Sequence, residues 1–280
     1  MARQVGRRVG CALVALGVGA GVLLGPTPAP AGAVEPDAAA YAVVAHRGAP
    51  ARGVTENTLP SLRRAVRTGA DAVEIDVSLT SDERFVLMHD ATLERTTTCR
   101  GPVAKRTLTW IRSHCRGVRG REPLPSLGTA LGYLADTDLD LVLEIKRHPD
   151  AEWSAQALTR LAALVGRSDM GARTLLLCFH APTLELAEET VPDLESQWVV
   201  TSWKKQVLQA RRRPTEWVDG VNVWTAQLSR RRVRALRADG LLVLGRNTED
   251  RRDWSRLRRY GVDGVMTDDV PGYLAWSRRS

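Results

Sequence analysis

Cysteine is scarce in this sequence, with 4 residues among 280, and the spacings between them do not form a zinc-binding pattern. The chain also lacks a self-similar period of a few tens of residues, which argues against a repeat architecture. No nucleic-acid recognition motif accompanies its basic residues. What the chain does have is 44% hydrophobic residues, enough for a sizeable core in one large domain or two small ones.

The longest apolar run lies near the N-terminus and is typical of an export signal. Three arginines precede an apolar stretch over 9–25, and Ala31-Gly32-Ala33 then offers an A-x-A cleavage site. We therefore predict a signal peptide over 1–33, a linker over 34–40 and a secreted mature protein. The alternative is an uncleaved membrane anchor, because the run is just long enough to span a bilayer. The Arg7-Arg8 pair leaves both the general and the twin-arginine export route open.

The net charge of the chain is +8, and loss of the three arginines of the predicted signal lowers it to +5. Arginines cluster at 211–213, 230–234 and 251–259, which we interpret as solvated outer faces of helices. The positive charge favours anionic substrates or a membrane surface. We expect no nucleic-acid partner, no protein partner and no stable membrane span in the mature protein.

Three cysteines remain after the predicted cleavage. Cys99 and Cys115 flank a loop-like stretch, and export makes a disulfide between them reasonable, although the sequence does not decide whether it forms. Cys178 lies in an apolar run, which predicts a buried free thiol.

From Tyr41 onward, short apolar runs alternate with segments of helical periodicity, as in βα units around a parallel sheet. Nine runs qualify as strands: 41–45, 72–79, 85–89, 139–145, 174–179, 197–201, 219–224, 241–245 and 263–267. The second and third runs are too close for a parallel crossover, so the third must return antiparallel, as the second arm of a hairpin. Eight parallel strands remain. The sequence thus predicts an α/β fold, a (β/α)8 TIM barrel over 41–280, with an insertion over about 90–125 that caps its mouth.

Active sites of such barrels lie at the C-terminal ends of the strands, and the first strand ends there in His46-Arg47-Gly48. An imidazole shuttles protons near neutral pH, and an arginine beside it can hold a phosphate. Glu56-Asn57-Thr58 follows at the start of a helix. These residues serve either as a helix cap or as groups that point into the mouth.

Carboxylates recur near two strand ends. Glu74 and Asp76 are two residues apart on one strand and so face the same side, and Glu144 ends another strand. Three converging carboxylates suit a hard divalent cation, either Ca²⁺ or Mg²⁺. The alternative is a salt-bridge network of Glu144 with Lys146 or Arg47. His89 ends the returning hairpin arm and brings a second imidazole above the same mouth, which permits paired acid–base work.

These motifs, together with the closing segment 261–268, resemble the glycerophosphodiester phosphodiesterase family over roughly 41–272. The resemblance implies that His46 and His89 are the acid–base pair and that Glu74, Asp76 and Glu144 hold one divalent cation. It implies that Arg47 and Lys146 bind phosphate. The expected reaction cleaves a small-molecule glycerophosphodiester into an alcohol and glycerol 3-phosphate. Attack by the neighbouring glycerol hydroxyl through a cyclic phosphate and direct attack by water both remain open.

One segment departs from the family pattern. Many relatives carry Trp-Thr-Val-Asn on the penultimate strand, where this chain has Leu244-Gly245-Arg246-Asn247. The missing tryptophan is expected to pack against the substrate, and Trp224 on the preceding strand is a candidate replacement. Arg246 either contacts a phosphate or carboxylate of the substrate or points to solvent. At Met266-Thr267-Asp268 we expect a structural role.

Two further functions fit the same barrel. A lysophospholipase D or sphingomyelinase D uses a similar histidine and metal site, but such relatives generally lack the His-Arg-Gly and Glu-Asn-Thr motifs present here. A catalytically dead barrel that binds phosphoesters should have lost a histidine or a metal carboxylate, and none is missing.

Overall fold

A computed structural model of the protein describes residues 42–206 and 214–279. The predicted signal peptide and linker lie outside the described residues, as does the arginine cluster at 211–213, so these remain predictions. Among the described residues, no helix combines the length and the apolar content needed to cross a bilayer.

All nine predicted strands are present within a residue or two of their expected bounds. They are β1 (Ala42–Ala45), β2 (Ala72–Leu79), β3 (Phe85–Leu87), β4 (Asp140–Ile145), β5 (Thr174–Cys178), β6 (Ser196–Val200), β7 (Gly220–Trp224), β8 (Leu242–Arg246) and β9 (Gly264–Thr267). Every strand except β3 runs parallel to its neighbours, in the order β1-β9-β8-β7-β6-β5-β4-β2, and pairing of β1 with β2 closes the barrel. β3 pairs antiparallel with β2. The predicted (β/α)8 barrel and its hairpin are confirmed.

Helices follow the strands and pack on the outside of the barrel. They are α1 (Leu59–Thr68), α2 (Leu108–His114), α3 (Leu127–Ala135), α4 (Ala155–Arg167), α5 (Ala181–Thr190), α6 (Trp203–Gln206), α7 (Arg230–Ala238), α8 (Arg251–Tyr260) and α9 (Val270–Ser277). Serine, threonine or aspartate side chains cap the N-termini of several of them; Ser154 Oγ, for example, accepts from the Ala157 N–H at the start of α4.

Side chains alternate along each strand between the barrel interior and the helix layer. The outward set forms the main core with the helices, and this core includes the fully buried Trp198 of β6 and Trp254 of α8. The inward set builds a smaller apolar layer inside the barrel, made by Val44, Ala72, Val142, Leu177, Val199, Leu244 and Met266. This layer is a floor: the next inward position on each strand opens to the C-terminal end of the barrel, here called the mouth.

The insertion over 90–125 carries α2 and has its own buried apolar cluster, which includes Leu93, Val103 and Ile111. A disulfide joins Cys99 to Cys115 across a separation of 16 residues. In the loop-entropy model, closing a loop of that length stabilises the folded state by about 3 kcal/mol. The insertion stands against the loop after β1, where the Arg119 N–H donates to Thr55 Oγ1 at 3.1 Å. Cys178 is a buried free thiol, as predicted.

Candidate active site

Polar side chains and one phenylalanine occupy the inward positions directly above the apolar floor. Two residues beyond a floor residue on its strand lie His46, Glu74, Glu144, Phe179, Thr201, Arg246 and Asp268. Asp76 lies one further step up β2, and in the sheet register it is directly opposite Glu144. The strand ends therefore bring most of the predicted site residues to one mouth, because the inward positions of parallel strands converge there.

His46 lies at the end of β1 and is held by a carboxylate from the end of β9. Its Nδ1 is 2.8 Å from Asp268 Oδ1, and its Nε2 is 3.9 Å from Glu74 Oε2. Burial opposes protonation of His46, but the hydrogen bond that His46 donates to Asp268 and the charge of Glu74 outweigh it and raise the pKa. With Nδ1 engaged, Nε2 is the nitrogen left for proton transfer.

Arg47 lies in a sharp turn that requires the glycine after it. Arg47 itself adopts a left-handed backbone with φ of 50° and ψ of 33°, which is uncommon for a residue with a side chain. Gly48 has φ of +79°, and a Cβ there would lie 2.3 Å from Ser61 Oγ, so a larger residue does not fit. The strained turn directs the Arg47 N–H to Glu74 Oε2 at 2.7 Å.

The three predicted metal carboxylates form one buried cluster. Glu74, Asp76 and Glu144 each offer an oxygen, and these atoms lie within 4.8 Å of one another. Burial and the charge of Asp76 raise the pKa of Glu74 to about 8. Burial also acts to raise the pKa of Asp76, but the charges of Lys146, His89 and Arg47 outweigh it and lower that pKa to about 2.

The donor set fits a hard divalent cation. Glu74 Oε1 and Asp76 Oδ1 are buried and accept no hydrogen bond within the described part of the chain. Buried carboxylate oxygens without a donor are costly, and an oxygen-ligated cation removes that cost. Lys146 Nζ approaches the cluster from one side, at 2.5 Å from Glu144 Oε1 and 3.5 Å from Asp76 Oδ1. The predicted alternative of a salt bridge between Glu144 and Lys146 is therefore also present.

The Glu56-Asn57-Thr58 motif combines both of its predicted roles. Thr58 is the N-cap of α1, and its N–H donates to Ser61 Oγ at 3.0 Å. Asn57 is buried and clamps Asp76, with Nδ2 donating to Asp76 Oδ2 at 2.7 Å and Oδ1 accepting from the Asp76 N–H at 2.9 Å. Glu56 accepts from Arg47 Nη1 at 2.8 Å. The motif thus fixes one metal carboxylate and one phosphate-binding candidate.

His89 reaches the mouth on the hairpin, two residues beyond β3. Ser78 Oγ on β2 donates to the Met88 carbonyl at 2.8 Å, which anchors the returning arm. His89 Nδ1 lies 2.6 Å from Asp90 Oδ1. Burial and the charge of Lys146 lower the pKa of His89, against the raising effect of Asp76. As in His46, Nδ1 is hydrogen-bonded to a carboxylate, so Nε2 is the ring nitrogen available for proton transfer.

The chain matches the model of the "Glycerophosphoryl diester phosphodiesterase family" over residues 46–271. The chain belongs to this family. Its relatives include a glycerophosphodiester phosphodiesterase from Caldanaerobacter subterraneus, 26% identical over 236 residues that cover 81% of this chain and 93% of the relative. The expected family and enzyme class, a phosphoric diester hydrolase, are confirmed.

Solved structures agree with this assignment. An Oleispira antarctica phosphodiesterase in complex with its product sn-glycerol 3-phosphate superposes with a TM-score of 0.75 and is 25% identical, covering 85% of this chain and 97% of its own. A glycerophosphodiester phosphodiesterase from Agrobacterium tumefaciens gives a TM-score of 0.67 at 23% identity, over 84% of this chain and 99% of its own, and supports the fold.

In the segment that departs from the usual glycerophosphodiester phosphodiesterase pattern, Arg246 faces the mouth and Leu244 does not. Leu244, at the position of the missing tryptophan, belongs to the apolar floor and is 8% exposed. Arg246 is the residue of β8 that faces the mouth, and it is buried rather than pointing to solvent. Its Nη2 lies 3.7 Å from Glu144 Oε2. Trp224 is opposite Arg246 in the register and is 48% exposed, as a rim residue should be.

Three features of this phosphodiesterase site were not predicted from the sequence. Asp268 was expected to be structural, yet it holds His46; its position two residues beyond Met266 on an inward face was the available signal. Phe179 was not singled out, although it lies above the floor residue Leu177 and its ring is near Lys146 and Arg246. Arg95 lies in the insertion and carried no periodic signal.

Arg95 joins the insertion to two parts of the mouth, the loop after β1 and the end of the hairpin. Its guanidinium donates to Glu56 at 2.7 and 3.0 Å and to Asp90 at 2.5 and 3.1 Å. Glu56 in turn holds Arg47, and Asp90 holds His89. One side chain of the insertion therefore orients a phosphate-binding candidate and an imidazole at the same time.

Replacing Arg95 should lower turnover more than stability. We expect Arg95→Met to reduce kcat about 10-fold, because Glu56 and Asp90, which orient Arg47 and His89, lose the guanidinium that holds them in place. The melting temperature should change by only a few degrees, since the Arg95 side chain is 47% exposed and such ion pairs stabilise weakly. Arg95→Lys should recover part of kcat. Arg112→Met, an exposed arginine of α2, is the matched control, and an equal loss of kcat there would contradict the assignment.

Proposed function

We propose that this protein is a secreted, metal-dependent glycerophosphodiester phosphodiesterase that releases glycerol 3-phosphate by acid–base catalysis with His46 and His89. One observation carries the proposal: two imidazoles, each with Nδ1 bound by a carboxylate, flank a buried cluster of three further carboxylates. Two such imidazoles suit diester cleavage, because one oxygen must be protonated as it leaves and another deprotonated as it attacks.

The two histidines act through Nε2. Asp268 fixes the ring of His46 and Asp90 fixes the ring of His89, as a carboxylate does for the histidine of a hydrolase triad. One imidazole gives its proton to the alcohol oxygen that departs from phosphorus. The other takes the proton of the attacking group, which is either the neighbouring glycerol hydroxyl or water. If the glycerol hydroxyl attacks, a cyclic phosphate forms first, and water then opens it to glycerol 3-phosphate while the two rings exchange roles, which restores their starting protonation. If water attacks directly, the two rings regain their starting protonation by proton exchange with solvent.

Arg47 and Lys146 are the proposed phosphate ligands. Their side chains are 17% and 11% exposed, so they are largely desolvated but open to the mouth. Positive groups fixed where negative charge develops on the phosphate oxygens lower the barrier because they need little reorganisation. Trp224 and Arg246 stand on the far wall, where we place the head group of the substrate.

Glu74, Asp76 and Glu144 are the proposed ligands of one Ca²⁺ or Mg²⁺ ion. Their buried oxygens without hydrogen-bond donors support this role. The cation would supply Lewis-acid stabilisation of charge on the phosphate. The protein orients the ligands: Asn57 holds Asp76, and the Arg47 N–H holds Glu74.

Expression of the full chain tests activity and export together. We expect the culture medium to contain a mature protein that begins at Val34. It should release glycerol 3-phosphate from glycerophosphoglycerol or glycerophosphocholine when Ca²⁺ or Mg²⁺ is added. Lysophosphatidylcholine, assayed in parallel, should be the poorer substrate. No glycerol 3-phosphate from any diester would refute the activity, and retention of an uncleaved chain in the membrane would refute secretion.

A further inference from the structure

Arg246 is a buried cation whose side chain is not fully paired. The residue is 4% exposed, and its nearest carboxylate oxygen, Glu144 Oε2, lies 3.7 Å from Nη2, beyond ordinary hydrogen-bond distance. Nε and Nη1 have no hydrogen-bond partner among the described residues. Guanidinium donors left unpaired in a dry environment are costly, which indicates that an anionic acceptor completes their bonding.

Arg246 lies on the inward face of β8, at the level of the acidic cluster. Arg246 ends β8, one inward step above Leu244 of the apolar floor, and its register partner on β7 is Trp224 at the rim. Arg47, Glu74 and Asp76 come from the β1 and β2 side of the barrel. Arg246 lies on β8, two strands from β1 and across the barrel from β4, which carries Glu144. A diester whose phosphate rests on Arg47 and Lys146 can therefore extend one of its two alcohol groups toward Arg246.

The aromatic ring nearest Arg246 does not favour a cationic head group. Quaternary ammonium groups are usually bound on aromatic faces. Phe179 is 38% exposed at the mouth, but the Arg246 guanidinium lies 5.0 Å and the Lys146 ammonium 5.3 Å from its ring centroid. A choline or ethanolamine group in this part of the mouth would meet two fixed charges of its own sign.

We propose that Arg246 makes this enzyme select glycerophosphodiesters whose head group carries an anionic oxygen group, a carboxylate or a phosphomonoester, over those with a cationic head group. The inference rests on the proposed glycerophosphodiester phosphodiesterase activity. The guanidinium has unpaired N–H donors on Nε and Nη1, and charge-assisted hydrogen bonds from a guanidinium to a carboxylate or phosphate oxygen are among the strong ones.

A matched pair of substrates tests the inference. Glycerophosphoserine and glycerophosphoethanolamine differ only by a carboxylate. The kcat/KM of glycerol 3-phosphate release should be about 10–100-fold higher for glycerophosphoserine, the range expected for one charge-assisted pair. Arg246→Met should bring the ratio of the two values to within about threefold of one, and Arg246→Lys should give an intermediate ratio because a single ammonium lacks the fork. Arg252→Met, an exposed arginine of α8, should keep the wild-type ratio.

The outcomes separate this inference from the proposed activity. Release of glycerol 3-phosphate with equal kcat/KM for the two diesters would leave the activity standing and overturn the head-group selection. An equal loss for both diesters in Arg246→Met would assign Arg246 to the phosphate that they share, and would overturn it as well. Calorimetric Kd values for both diesters with the His89→Ala variant give the ratio without turnover. Equal Kd values there would also overturn the inference.

Discussion

His46→Ala and His89→Ala are each expected to lower the kcat of glycerol 3-phosphate release by about 10²–10⁴-fold, the range attributed to a positioned acid or base. Each ring is held by its own carboxylate, His46 by Asp268 and His89 by Asp90, so neither can take the place of the other. The double variant should be little worse than the worse single variant, because the two proton transfers belong to one reaction. Asp268→Asn should cost less, since it leaves His46 present but poorly oriented.

The same measurements must distinguish chemistry from folding. His114→Ala removes an exposed histidine of α2 outside the mouth and should keep wild-type kcat. Thermal unfolding should show that both active-site variants remain folded, and calorimetry should show that they still bind the diester. Activity within a few-fold of the wild type in either His46→Ala or His89→Ala would refute the acid–base assignment.

The site depends on two routes by which the chain brings polar groups to one mouth. The parallel strands deliver His46, Glu74 and Glu144 directly, through the inward position above the floor. The hairpin and the insertion deliver His89 and Arg95 from outside the barrel, and the Glu56–Arg95–Asp90 network links the two routes. Loss of the hairpin and insertion residues should therefore impair turnover even though the strand residues remain in place, and loss of the strand residues should do the same.

The barrel was largely predictable because its signals are local. Nine short apolar runs set the strands, and the short gap between 72–79 and 85–89 required a hairpin, since no crossover fits there. The insertion was harder to predict. Its cluster of Leu93, Val103 and Ile111 has no regular period, so the position of the insertion was predictable and its helix α2 was not. A disulfide between Cys99 and Cys115 was considered from context and is present.

In the site, residues on strand ends were predictable and those that act through distant partners were not. His46 follows an apolar run and Glu74 and Glu144 lie within two others, whereas Asp268 reaches His46 across 222 positions of sequence. Leu244 and Arg246 show why period matters. An outward residue separates the two along β8, so Arg246 faces the mouth and Leu244 fills the floor. A motif comparison alone assigns the substrate contact to Leu244.

Glu74→Gln is expected to abolish both the activation and the thermal stabilisation by a divalent cation while preserving the metal-free fold. Because burial and Asp76 raise the pKa of Glu74 to about 8, a neutral amide closely mimics its side chain near pH 7 in the absence of metal. The amide oxygen can still accept from the Arg47 N–H, but its NH₂ group cannot ligate a cation. Turnover should fall at least about 100-fold, since removal of even an outer-shell partner of a metal costs 10–100-fold.

Thermal unfolding measures the same site without catalysis. After chelation, Ca²⁺ or Mg²⁺ at about 100 times its Kd should stabilise the wild-type protein by about 2.7 kcal/mol and raise its melting temperature, and should leave Glu74→Gln unchanged. Glu185→Gln is the matched control, because Glu185 on α5 is also buried with an Oε1 that accepts no hydrogen bond within the described residues, yet it lies outside the mouth. Full activity in excess EDTA, with no metal-dependent shift in the wild type, would show that Glu74, Asp76 and Glu144 do not hold a cation. Their buried charge would then have to be balanced by Lys146, Arg246 and a retained proton.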